Sequence, residues 1–108
     1  MSEREKFNPI FQINPDVKLN LENHTLTRGE KSVILTRPQT GIMIVLAGKK
    51  GRTFDRETLL RRVWPPDEQF SKENIVWVAI NRLRDRLKEL DLDGFLITIS
   101  RHGYKWMG

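Results

Sequence analysis

The chain has 108 residues, with 19 Lys and Arg against 14 Asp and Glu, two His, no Cys and a formal net charge of +5. That length suits a single domain around one core, and the lack of cysteine excludes a disulfide framework, a thiolate metal site and a cysteine nucleophile, as suits a reducing compartment. No apolar run approaches the ~20 residues that cross a bilayer, and the first residues carry no apolar signal core, so a chain that is neither secreted nor membrane-spanning is expected.

In chain order, residues 7–35 read as short strands. Phe11 and Ile13, then Val17, Leu19 and Leu21, then Leu26, then Val33 and Leu35 alternate with polar neighbours. Asn14-Pro15-Asp16, Glu22-Asn23 and Arg28-Gly29-Glu30 break the runs with turn chemistry. A small antiparallel meander over 10–35 is expected, with one apolar face that needs a partner layer. The period then changes. Thr36 can cap a helix over 36–48, Pro38 falls in its first turn, and Ile42, Met43, Val45 and Leu46 form its stripe. Gly41 inside it costs about 1 kcal/mol against Ala. Arg52-Thr53-Phe54 is a short extended link. Asp55 caps a second helix over 55–64 with Leu59, Leu60, Val63 and Trp64 inward, and Pro65-Pro66 stops it.

After a loop at 65–71, Ser71 is expected to cap a third helix running to Leu90. At about 100° per residue, Val76, Ile80, Leu83 and Leu87 share one line, with Ala79 and Leu90 beside it. The other face carries Asn74, Val78, Asn81, Arg82 and Asp85, with Trp77 and Lys88 to one side and Arg84 and Arg86 flanking. Asp91-Leu92-Asp93-Gly94 reads as the helix exit, with glycine near the end. Last, 96–100 and 104–107 are β-rich runs around Arg101-His102-Gly103, a hairpin signal in which Gly103 supplies a positive φ.

Motifs for catalysis or cofactors are missing. Gly48-Lys49-Lys50-Gly51-Arg52-Thr53 lacks the spacing of a phosphate loop and follows a helix, and Asp91–Gly94 lacks the oxygen ligands of a calcium loop. No serine stands in a nucleophile elbow, and His24 and His102 make no zinc site without several carboxylates. No enzyme, metal, cofactor or small-molecule substrate is expected. The charge points elsewhere. Residues 1–30 have a net charge of −1 and the rest +6, a balance that suits a polyanionic partner. On the third helix Arg can bond guanine, Asn can bond adenine and an apolar group can touch a thymine methyl. Arg101 and His102 at the hairpin tip can enter a minor groove, and the Tyr104 hydroxyl can meet a phosphate. The plain alternatives are a solvated helix in which Asp85 pairs with Arg82 or Lys88, and a Trp77 folded back on the 65–70 loop.

Four segments carry a family resemblance. They are Val-Ile-Leu-Thr (33–36), Arg-Glu-Thr-Leu-Leu-Arg-Arg-Val-Trp (56–64), Val-Ala-Ile-Asn-Arg-Leu-Arg-Asp-Arg-Leu (78–87) and Ile-Thr-Ile-Ser-Arg-His-Gly-Tyr-Lys (97–105). In this order they resemble the OmpR/PhoB-type winged helix-turn-helix domain over residues 10–107, with 1–9 as a tail. The resemblance implies an α+β fold: an N-terminal antiparallel sheet, three helices and a C-terminal β-hairpin wing over 96–107. It implies a recognition helix over 71–90 in the major groove of promoter DNA, a wing in the minor groove, a 65–71 loop that touches RNA polymerase, and binding to direct repeats as a head-to-tail homodimer. Position by position, Arg82 and Arg84 match helix arginines for base or phosphate contact, Asn74, Val78 and Asn81 match variable contact positions, Trp64 a packing tryptophan, and Tyr104 a wing tyrosine. With Trp77, Lys88, Arg101 and His102 these form the expected DNA-binding set.

The departures are specific. Many members carry Arg where Ser100 stands; here the cation moves to Arg101, a form closer to the ToxR/CadC-like branch. Trp77 replaces a common Asp, and Asp85 a common basic residue. That branch implies the cytoplasmic head of a membrane-anchored activator, with a free-standing regulator or response-regulator effector domain second. A protein-interaction winged helix, docking a partner through Trp77 and Val78, is the competing class.

Overall fold

The computed structural model describes residues 8–69 and 74–108. Four strands, β1 (Ile10–Asn14), β2 (Val17–Asn20), β3 (Thr25–Arg28) and β4 (Lys31–Ile34), form an antiparallel sheet in the order β1-β2-β3-β4. The register explains why it is one-sided. Phe11, Leu19, Leu26 and Val33 face one another across all four strands, while Gln12, Lys18, Thr27 and Ser32 make the neighbouring row. Alternation by two sends the first row to the core, where Leu19 and Leu26 are fully buried, and the second to water.

Helix α1 (Arg37–Gly48) starts at a reciprocal cap. Gln39 N–H donates to Thr36 Oγ1 (3.3 Å) and Thr36 N–H donates to Gln39 Oε1 (2.8 Å), so two end donors are satisfied at once. Gly41 has a packing reason: a Cβ there would lie 2.9 Å from Val63 Cγ1. Helix α2 (Arg56–Val63) is capped by Asp55, which accepts from Thr58 N–H at 2.8 Å. Trp64, before the two prolines, takes an extended backbone and is buried. The loop that follows contains a 3-10 turn at Pro66–Glu68.

Helix α3 is described over Ile75–Lys88. The expected Ser71 cap lies outside the described residues, and Asn74 precedes the helix with no side-chain capping bond. Val76, Ile80, Leu83 and Leu87 are fully buried, as their spacing requires. The exit corrects the sequence reading. The helix ends at Lys88, and the reversal uses Asp91 at φ 57° instead of Gly94. Asp91 N–H donates to the Lys88 carbonyl (3.1 Å) and Leu92 N–H to that of Leu87 (2.9 Å), a Schellman pair made with aspartate, which tolerates the left-handed region better than most side chains. Arg28 closes the same end from the sheet, donating to the Leu90 (2.8 Å) and Asp91 (3.2 Å) carbonyls. A cation at a helix C-terminus also meets the favourable end of its dipole.

The wing is β5 (Leu96–Ile99) and β6 (Gly103–Trp106), paired antiparallel. Its turn is Ser100-Arg101-His102, with His102 N–H donating to the Ile99 carbonyl (2.9 Å). Arg101, at φ 66°, takes the left-handed place in this turn, so Gly103 begins a strand instead of making the bend. Glycine is needed there because a Cβ would fall 2.1 Å from the Phe54 carbonyl oxygen. Phe54 and Tyr104 exchange backbone bonds at 2.8 and 2.9 Å, and Gly51 N–H donates to the Trp106 carbonyl (2.8 Å). The α1–α2 link thus acts as a third strand beside the wing.

Candidate nucleic-acid interface

The solvent arc of α3 divides into two flanks. On the α1 side, Asn74, Val78 and Arg82 border a hollow of about 540 Å³ with Thr36, Pro38, Gln39, Trp64, Ile75 and Ala79. Three expected contact residues are thereby brought together over an apolar floor. Ile75 and Ala79 are additions to the set; each lies three residues before a member of it, Val78 and Arg82, which puts them on that flank. Arg82 is exposed, and no ion pair joins Arg82 or Lys88 to Asp85. The ion pair on this stretch is Arg86–Glu89 at 2.8 Å. The picture of a helix whose reading cations are cancelled by Asp85 therefore does not hold.

On the wing side lie Trp77, Asn81, Arg84 and Lys88. Trp77 is 58% exposed. Asn81 Nδ2 donates to the Trp77 carbonyl (2.9 Å), a bond back to its own helix that does not use the amide oxygen. Arg84 is placed differently from a free contact residue: its Nη2 donates to the Leu96 carbonyl (3.1 Å) and to Thr98 Oγ1 (2.6 Å) of β5.

The wing tip presents Arg101 and His102 to solvent, while Tyr104 is half-buried beside Phe54. A second hollow, about 370 Å³, separates the tip from the start of α2; Asp55, Glu57, Thr98 and Tyr104 are among its walls. The Glu57 charge there is offset by Arg56 (3.2 Å) and Arg61 (3.8 Å). Asp55 is held below the usual carboxylate range, first by the Thr58 backbone N–H and then by the Thr58 hydroxyl. No group of three His, Asp or Glu side chains among the described residues is placed to hold a metal ion.

A three-helix core whose last helix leaves a polar, cationic arc beside a cation-tipped hairpin defines the winged helix-turn-helix class of DNA-binding domains. The family model "Transcriptional regulatory protein, C terminal" matches residues 29–106, and the chain belongs to that family: it is an OmpR/PhoB-type DNA-binding domain of a transcription regulator and not an enzyme. The response regulator protein GraR of Staphylococcus epidermidis is 30% identical over 89 residues, which are 82% of this chain and 39% of GraR. The chain thus spans about two-fifths of the length of that curated relative. Among solved structures, the DNA-binding domain of E. coli CadC superposes with a TM-score of 0.79 at 22% identity, covering 93% of this chain and 92% of that one. The DNA-binding domain of Klebsiella pneumoniae RstA, in complex with the RstA box, gives 0.69 at 22% identity, covering 93% and 98%. At that identity the likeness is one of fold. No helix among the described residues is long and apolar enough to cross a membrane.

Proposed function

We propose that the domain reads duplex promoter DNA with α3 in the major groove and the wing tip in the adjacent minor groove. The observation that carries this is the pairing of an uncancelled Arg82, set beside Asn74 and Val78, with an exposed Arg101–His102 tip on a hairpin bonded to the same helix. Arg82 supplies bidentate base recognition, Val78 an apolar touch to thymine, and Asn74 and Asn81 adaptable polar contacts. Lys88 and the Tyr104 hydroxyl meet phosphate, Trp77 packs on the backbone beside the wing, and Arg101 with His102 enters the negative minor groove. RstA, a fold neighbour, is seen with its own DNA box, which supports DNA binding by a domain of this fold. We further propose that two copies sit head to tail on direct repeats, that the 65–71 loop touches RNA polymerase, and that the domain works in the cytoplasm.

The likeness to GraR favours an effector domain of a response regulator. A second reading, the cytoplasmic head of a membrane-anchored activator, rests on the displaced wing cation Arg101, by which the sequence resembles the ToxR/CadC-like branch. A titration with salt tests the interface itself. Binding to a duplex selected from a randomised pool is expected to weaken linearly in log–log terms, with a slope of about −0.9 per phosphate contacted. A protein-docking winged helix would bind no selected duplex and show no such slope.

A further inference from the structure

We propose that Arg84 is a positioning residue that fixes the wing relative to α3, and so sets the distance between the two points at which the domain reads DNA. This rests on the DNA-binding reading above. A two-stranded hairpin is at best marginally stable alone, so its aim has to come from outside it. Strand β6 is held along its backbone by Phe54 and Gly51. Strand β5 is the outer strand, and Arg84 is the side chain that reaches it from α3.

The geometry suits a brace. One guanidinium nitrogen bridges the Leu96 carbonyl at the buried base of β5 and the Thr98 hydroxyl two residues nearer the tip. Charged donors make hydrogen bonds roughly twice as strong as neutral ones, and the planar fork of Arg holds a direction that an ammonium does not. Arg84 sits one flank away from Arg82 on the same helix, so a shift of α3 in the major groove is carried to Arg101 through Thr98 and the wing turn. Both Nη2 hydrogens are committed to these two acceptors, and a phosphate contact would have to use Nη1 or Nε.

The test uses the whole chain in three forms: wild type, Arg84→Met, which keeps the apolar stem, and Thr98→Val, which removes the acceptor without removing a cation. Amide hydrogen exchange across residues 98–104 of the free protein is the first readout, because it needs no DNA. Loss of a charged hydrogen bond is expected to speed exchange there about tenfold in each variant, with the double variant no faster than Arg84→Met alone. The second readout is minor-groove footprinting on the duplex selected by the wild type. Wing protection should fade in both variants while the protected major-groove bases and their sequence preference stay, and Arg84→Lys should restore little. Unchanged wing exchange in both single variants would overturn the brace. So would a fall of about 0.9 in the salt slope for Arg84→Met with Thr98→Val silent, which marks a direct phosphate contact. If the wild type selects no duplex, the DNA reading fails while the exchange result still decides the brace.

Discussion

Two wing residues share positive φ for different reasons. Arg101, at φ 66°, takes the left-handed place of the wing turn, which costs an L side chain about 1–2 kcal/mol. Gly103 is held by contact: its backbone runs against the Phe54 carbonyl. Gly103→Ala is therefore expected to cost about 3 kcal/mol or more in denaturant unfolding, combining φ strain with overpacking; a loss under about 1 kcal/mol would refute the Phe54 contact. Asp55 governs acid behaviour at the start of α2. Its carboxyl is lowered by the Thr58 backbone N–H and then the Thr58 hydroxyl, with slight burial opposing and Arg61 assisting. A depressed folded pKa stabilises above the unfolded value of about 4 and is lost as pH falls through the folded value. Unfolding midpoints followed from about pH 5 to 2 should fall less steeply for Asp55→Asn than for the wild type; identical pH profiles would remove the ionic cap.

Helix α3 is the element on which everything converges, and its anchoring shows which links a sequence discloses. The core stripe Val76, Ile80, Leu83 and Leu87 followed from period alone, because burial of apolar side chains obeys helical geometry. So did the meander, whose rows follow from alternation. The long-range polar ties did not. Arg28 reaches the end of α3 across 62 residues of chain and Arg84 reaches Thr98 across 14, and an arginine in either place reads equally well as a solvated charge. The helix exit was misplaced because Gly94 is the usual signal, whereas here Asp91 takes the left-handed position. Among candidate contacts, Asn74, Val78 and Arg82 were placed on one face by the helical wheel, whereas Ala79 was set beside the core line and Ile75 was not assigned, although both line the same hollow.

At the scale of the molecule, the N-terminal sheet and the helices share one core, and α3 and the wing form the paired surface proposed to read DNA. The net charge of +5 supplies the general attraction to a polyanion, while Arg82 and Arg101 are assigned different tasks, base choice and groove anchoring. One comparison tests this division most directly: affinities of Arg82→Ala and Arg101→Ala for the wild type's selected duplex and for single-base variants of it, at one salt concentration. Arg82→Ala should cost about 1–3 kcal/mol and flatten the preference at one base pair, whereas Arg101→Ala should weaken all duplexes nearly alike. Both variants binding every duplex as tightly as the wild type would contradict the account.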